Sequence, residues 1–156
     1  MDHTLAFVNG LNEVPNRAYG HSPKDGAFVE TDQSSTSATL GDGGVYSNLD
    51  DLAKWDAALQ SHTLLSEQDM SPALAPRKPN AYGFGWYLDP YQDHPRMWHT
   101  GETMGFRTVI ERFPKDRLTV IVLCNRTDLE PDKLALQAAD LLLSRGGHGR
   151  AGVQND

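Results

Sequence analysis

Residues 118–124 read LTVIVLC, and from Val120 to Cys124 every side chain is apolar. A strand with one face in water alternates apolar and polar residues, so a strand without alternation needs cover on both faces. The sequence shows one cover directly. PDKLALQAADLLLS begins at Pro131, a residue suited to the first helical position, and sets Leu134, Ala138, Leu141 and Leu142 on one helical stripe. Arg145, Gly146 and Gly147 suit the C-terminal cap of that helix, and HGRAGVQND beyond it reads as a frayed tail. The second cover has no evident source in the pattern.

Upstream of this strand the hydrophobic period is two. YGFGWYL, RMWHTGE, FRTVIERF and LTVIVLC read as four strands separated by turn-forming segments, and FPKDRL is short enough for a hairpin connection. Before them, GDGGVYSNLDDLAKWDAALQS places Leu49, Leu52, Ala53, Trp55, Ala58 and Leu59 largely on one face of a helix of about 12 residues. Ser47 with Asp50 has capping-box spacing, and Asp50 and Asp51 put negative charge at the positive end of the helix dipole. Ser66 can cap a second short helix over EQDMS, before Pro72, Pro76 and Pro79 stop regular structure.

Residues 1–44 hold no helical period and read as loop, with one short strand near Ala27 to Thr31. So long an irregular opening is expected to wrap a site or another part of the protein. The expected organisation is one partial domain: an irregular wrapping region at 1–44, a helical segment at 45–79, antiparallel strands plus the C-terminal helix at 80–145, and a tail at 146–156. The fold class is α+β, an α/β sandwich with an antiparallel sheet of about three to five strands packed with the C-terminal helix.

Composition narrows the partners. At 156 residues the chain can form one core, burying roughly 70% of its unfolded surface. A net charge of −7 with scattered basic residues argues against nucleic acid and anionic membrane surfaces, and no apolar run reaches the ~20 residues of a membrane span. The single Cys124 has no internal disulfide partner and reads as a small buried hydrophobe. Met1 is followed by DHTLAFVNG, which lacks the basic head and apolar segment of an export signal, so the compartment stays unassigned.

Four groups of residues raise chemical questions. His99 leads HTGE, and period-two geometry puts His99 and Gly101 on one face and Trp98 and Thr100 on the other. A bare Gly101 lets a ligand lie close to the strand backbone, while as a residue type His99 also reads as an ordinary strand histidine with a satisfied hydrogen bond. His94 and His99 face opposite sides, and the histidines at 3, 21, 62 and 148 have no matching ligand cluster, so neither metal nor cofactor is expected. Tyr46-Ser47-Asn48 spells a known catalytic triplet but sits at a helix start, where Ser and Asn serve as caps. Finally, the positions three beyond Ser22, Ser47, Ser61 and Ser66 are Asp25, Asp50, Leu64 and Asp69, so no serine has an activating lysine one helical turn on.

The ordered blocks GDGGVYSNLDDLAKW, YGFGW, HTGETMGF, an apolar strand ending in LCN and a final helix resemble the serine beta-lactamase-like hydrolases: class C beta-lactamases, penicillin-binding proteins, DD-peptidases and related esterases. MDHT and VPNRAYGHSP resemble the segment past that family's tyrosine motif, and the resemblance runs over about residues 1–143. It implies the C-terminal portion of a beta-lactamase-like fold that acts on a small-molecule or peptide acyl substrate. His99-Thr100-Gly101 would replace the Lys-Thr-Gly motif as a wall of the cleft, and the backbone N–H of Glu102 would be one oxyanion-hole donor. Histidine in place of lysine makes that local charge depend on pH, which favours an ester or peptide over a penicillin-type carboxylate. Tyr46-Ser47-Asn48 does not carry over, because the family's Gly-Gly-x-x-Ser helix start lies well after its catalytic tyrosine.

The resemblance implies that the Ser-x-x-Lys nucleophile is absent, that the chain is inactive alone, and that the strands normally beside Leu118–Cys124 are missing. An edge left so invites a homodimer or domain swap, sensitive to charge at Val120 or Val122. A non-catalytic assembly module using that edge is the alternative, and an independent enzyme using His99, Glu102 or Glu111 for acid–base work is a third.

Overall fold

The period-two segments form one antiparallel sheet. In the computed structural model, which describes residues 1–8, 10–32, 43–73 and 81–146, the elements are β1 (Leu5–Ala6), β2 (His21–Lys24), β3 (Ala27–Glu30), β4 (Val45–Tyr46), α1 (Leu49–Gln60), α2 (Glu67–Ala73), β5 (Ala81–Gly83), β6 (Trp86–Tyr91), β7 (His94–Thr103), β8 (Phe106–Phe113), β9 (Leu118–Cys124) and α3 (Pro131–Gly146). The main sheet runs in the order β5-β6-β7-β8-β9, and β1 with β4 and β2 with β3 form two small ribbons. The fold is mixed α and β, with an antiparallel five-stranded sheet and a C-terminal helix.

Several expectations shift by small amounts for identifiable reasons. YGFGWYL is two strands, because Phe84 and Gly85 both take positive φ, 53° and 82°, and turn the chain as a tight hairpin. The opening region holds β1 and β2 besides the expected strand, which lies at Ala27–Glu30, and β4 follows it at Val45–Tyr46. Asn48, not Ser47, caps α1: its side chain accepts from the Asp51 N–H at 2.9 Å, and the Ser47 hydroxyl contacts the Thr4 hydroxyl at 2.8 Å instead. On the face expected to be buried, Leu49 lies exposed. Ser66 does cap α2, but that helix runs through Pro72 to Ala73, since a proline in a last turn removes few bonds. Pro76, Pro79, Gly147 and the tail lie outside the described residues.

Both covers of β9 are identifiable. α3 lies on β8 and β9, while the other face meets α1, whose Asp56 accepts from Arg112 Nε at 2.5 Å and from the Thr119 hydroxyl at 2.9 Å. The stripe of α3 that packs is Pro131, Ala135 and Ala139, all buried, whereas Leu134, Leu141 and Leu142 of the expected stripe are exposed. LALQAADLLL is apolar on more than one side, so periodicity alone does not choose the face. Phe113 and Val109 fill the sheet surface beside the polar groups of Glu111 and Arg96, so alanines permit the closer approach.

Glu111 is sealed under this layer, with 1% of its surface exposed. Arg96 reaches it at 3.4 Å, but the guanidinium is held mainly by Asp89, through three contacts of 2.8–3.0 Å. Asp89 also accepts from Trp98 Nε1 at 2.9 Å. Burial pushes the Glu111 carboxyl up to about 7 despite Arg96, and the neighbouring Asp89 and Asp132 charges add to the rise.

The N-terminal segment is fastened to the sheet by backbone. Gly20 and Gly105 meet so closely that a Cβ on Gly105, which has φ of 82°, would lie 2.5 Å from the Gly20 Cα and 2.6 Å from the Thr31 oxygen. The His21 N–H donates to the Gly105 and Asn125 carbonyls at 3.2 and 3.0 Å, and the Thr127 N–H donates to the His21 carbonyl at 3.1 Å. This clasp joins the opening region to the β7–β8 turn and to the end of β9. A second tie is the buried Asp51, which accepts from the His3 N–H at 2.8 Å, the Thr4 hydroxyl at 2.9 Å and Lys54 at 3.1 Å. Burial opposes the Asp51 charge, but these donors hold its carboxyl well below the usual carboxylate range.

Gly105→Ala is expected to cost roughly 2–3 kcal/mol, through strain at positive φ and overpacking of the clasp, as measured by urea unfolding. An unchanged midpoint would remove the clasp as a stability element. Glu111→Gln tests the buried acid. A raised folded-state pKa gives stability that is complete below the unfolded value and lost as pH rises through about 7. The variant is therefore expected to gain melting temperature over the native chain more at pH ~8 than at pH ~5, and an equal difference at both would contradict the assignment.

Candidate functional site

The backbone of β7 has a fixed parity. The two-residue turns Gln92-Asp93 and Met104-Gly105 close on the pairs Tyr91↔His94 and Thr103↔Phe106, and in such hairpins the closing pair exchanges hydrogen bonds. Counting by twos, His94, Arg96 and Trp98 turn their N–H and C=O toward β6, while His99, Gly101 and Thr103 turn theirs toward β8. The ladder with β6 ends at Tyr87↔Trp98. Thr100 and Glu102 therefore direct their N–H and C=O past the end of β6, along a stretch of edge left open by the described strands.

His99 sits at the start of that stretch. Its Nδ1 lies 2.6 Å from the Thr100 carbonyl oxygen and its Nε2 lies 3.0 Å from the Tyr82 hydroxyl. A carbonyl only accepts, so Nδ1 carries a hydrogen. The ring is packed as well as bonded: Tyr87 stacks against Trp98 at 4.6 Å and against His99 at 5.6 Å, and Tyr82 meets Tyr87 edge-on at 4.7 Å. With β6 ended, the imidazole turns toward these rings on the side of Trp98, where simple alternation separates the two residues.

The remaining residues of the expected wall have definite surroundings. Gly101 faces Thr108 in register, and a Cβ there would lie 2.5 Å from the Thr108 hydroxyl oxygen. The Thr108 hydroxyl thus occupies the place a side chain at position 101 would take. The Glu102 side chain is 68% exposed and pairs with Arg107 at 3.8 Å. Arg107 also donates to the Thr103 and Phe106 carbonyls at 3.0 and 2.7 Å, bracing the turn. Glu111 lies sealed under α3, away from the open edge.

Other candidates resolve into structure. Asn48 of the Tyr46-Ser47-Asn48 triplet is a helix cap, while Tyr46 packs edge-on to Phe7 and under the Arg17 guanidinium. His94 pairs with Asp116 at 2.8 Å. Among the described residues no group of three or more His, Cys, Asp or Glu is arranged to hold a metal ion. No described helix is long and apolar enough to cross a membrane. Sequence reasoning missed Tyr82 and Tyr87; reading Phe84-Gly85 as a two-residue turn would have placed the two opposite each other.

With this geometry in hand, the family follows from comparison. A family model described as Beta-lactamase matches residues 1–144, and the chain belongs to the serine beta-lactamase-like family. Penicillin-binding protein 4* of Bacillus subtilis (strain 168) is 34% identical over 110 residues, covering 66% of this chain and 24% of that protein. Unguisins hydrolase ungD' of Aspergillus campestris (strain IBT 28561) is 31% identical over 99 residues, covering 56% and 18%. The chain thus matches a quarter or less of the length of these curated relatives.

The octameric penicillin-binding protein homologue from Pyrococcus abyssi superposes with a TM-score of 0.76 at 23% identity, over 92% of this chain and 34% of that one. A penicillin-binding protein from Bacillus halodurans gives 0.71 at 22%, over 89% and 44%. At these identities the two structures establish the fold.

Backbone parity makes an observable pattern. By hydrogen-exchange NMR the Thr100 and Glu102 amides are expected to exchange faster than those of His99, Gly101 and Thr103. Uniform protection across the five would contradict the assigned edge.

Proposed function

We propose that the chain forms the C-terminal part of a serine hydrolase of the beta-lactamase type, serving acyl transfer on an amide, ester or beta-lactam, and that it is silent by itself. The observation carrying this reading is the open stretch of β7, whose outward N–H groups suit the oxygen of a reacting carbonyl. The Glu102 N–H is then one donor of an oxyanion hole, where fixed donors stabilise the tetrahedral intermediate. His99, Thr100 and Gly101 form the wall, with His99 adjusting hydrogen bonding beside the substrate.

The attacking group comes from outside these residues, since no serine here has a lysine three positions on. Donors without an activated nucleophile orient a carbonyl but do not acylate. His99 is engaged by two neutral partners and presents no fixed cation, so an ester or peptide suits the wall better than a penicillin-type carboxylate. The relatives named as a hydrolase and as penicillin-binding proteins support this class.

A second reading, assembly through the sheet edge, is favoured by β9. It pairs only with β8 among the described strands, and exposed Leu123 lies near its end. Unpaired edges recruit strands from other chains or copies. The octameric state of the Pyrococcus homologue makes such assembly physically reasonable here.

One sample tests both readings. After incubation with a fluorophosphonate and a penicillin, the intact mass of the chain is expected to be unchanged. A stoichiometric serine adduct would overturn the inactive half-site. Size-exclusion light scattering is expected to give a dimer or larger species for edge pairing, and a strict monomer removes that second reading.

A further inference from the structure

We propose that Tyr82 is a positioning residue for His99, its hydroxyl holding the imidazole in the tautomer that carries hydrogen on Nδ1 and leaves Nε2 as an acceptor. The chemistry of the partners dictates the direction of each bond. The Thr100 carbonyl oxygen, 2.6 Å from Nδ1, has no hydrogen to give, so Nδ1 donates. A neutral imidazole then has a bare Nε2, and the Tyr82 hydroxyl at 3.0 Å donates to it. A ring held at both nitrogens has one orientation and one tautomer.

Tyr82 is suited to this because its own position is fixed twice. The β5–β6 hairpin sets it opposite Tyr87 in register, and the two rings meet edge-on at 4.7 Å. Tyr87 in turn stacks on Trp98 and His99, and Trp98 is anchored through Nε1 to Asp89. The hydroxyl therefore reaches His99 from a packed aromatic row and not from a freely turning side chain. The charged side chains that follow on this edge, Glu102 and Arg107, pair with each other at 3.8 Å, and the two groups that bond the ring are a carbonyl and a hydroxyl.

The weight of this for catalysis rests on the acyl-transfer reading above; the tautomer itself does not. A neutral His99 held this way offers a substrate no N–H from Nε2. The group that the pair presents outward is the Tyr82 oxygen, with a lone pair to spare.

Long-range proton–nitrogen NMR of the isotope-labelled chain reads the imidazole nitrogens directly. In the neutral imidazole of the native chain, Nδ1 is expected to appear protonated and Nε2 bare. Tyr82→Phe, which removes one exposed hydroxyl, is expected to shift Nε2 and admix the opposite tautomer, while Tyr87→Phe leaves the signature in place. A native chain protonated on Nε2 would overturn the proposal without any variant, and so would unchanged His99 nitrogen shifts in a folded Tyr82→Phe chain. Neither result bears on serine acylation, so the two readings fail separately.

Discussion

The short turns at the two ends of β7 constrain everything around the site. Each is two residues long, and each closing pair dictates which backbone groups of the strand face which neighbour. Moving either turn by one residue would exchange the inward and outward sets along the whole strand. Since the ladder between β6 and β7 ends at Tyr87 and Trp98, that parity decides that the N–H groups of Thr100 and Glu102, and not those of their neighbours, have no partner strand among the described residues.

The surrounding structure holds those turns still. Gly105 sits against Gly20 with no room for a side chain, and Arg107 braces the same turn from the other side. Through His21, Asn125 and Thr127 the clasp also carries the end of β9. Asp51 does comparable work at the start of α1, gathering the first residues of the chain onto a helix that in turn is tied to the sheet by Asp56 and Arg112. A segment that reads as loop is thus the part that ties the helical layer and the sheet together.

Much of this was legible in the sequence, and the limits have physical causes. FRTVIERF and LTVIVLC are strands at their expected residues because β-branched and aromatic runs bounded by turn residues leave little choice. α3 is placed correctly but rotated, because its composition is apolar on several sides and only the sizes of the facing groups choose alanine over leucine. Asn48 displaces Ser47 as a cap by one residue, a distance at which both side chains are chemically acceptable. The family was readable from the order of the blocks, while the aromatic row around His99 was hidden by a hairpin mistaken for one strand. Contacts such as Gly20 to Gly105 join residues 85 positions apart in number, and no local pattern encodes them.

The open edge of β7 divides labour between backbone and side chain. Donors supplied by the main chain at Thr100 and Glu102 belong to the register and survive replacement of the residues that bear them. The exposed Glu102 side chain is held only by a surface ion pair with Arg107. Such a position is free to be rewritten in descent, while the backbone polar groups beside it stay where the turns put them. The strand is a fixed rail with exchangeable fittings.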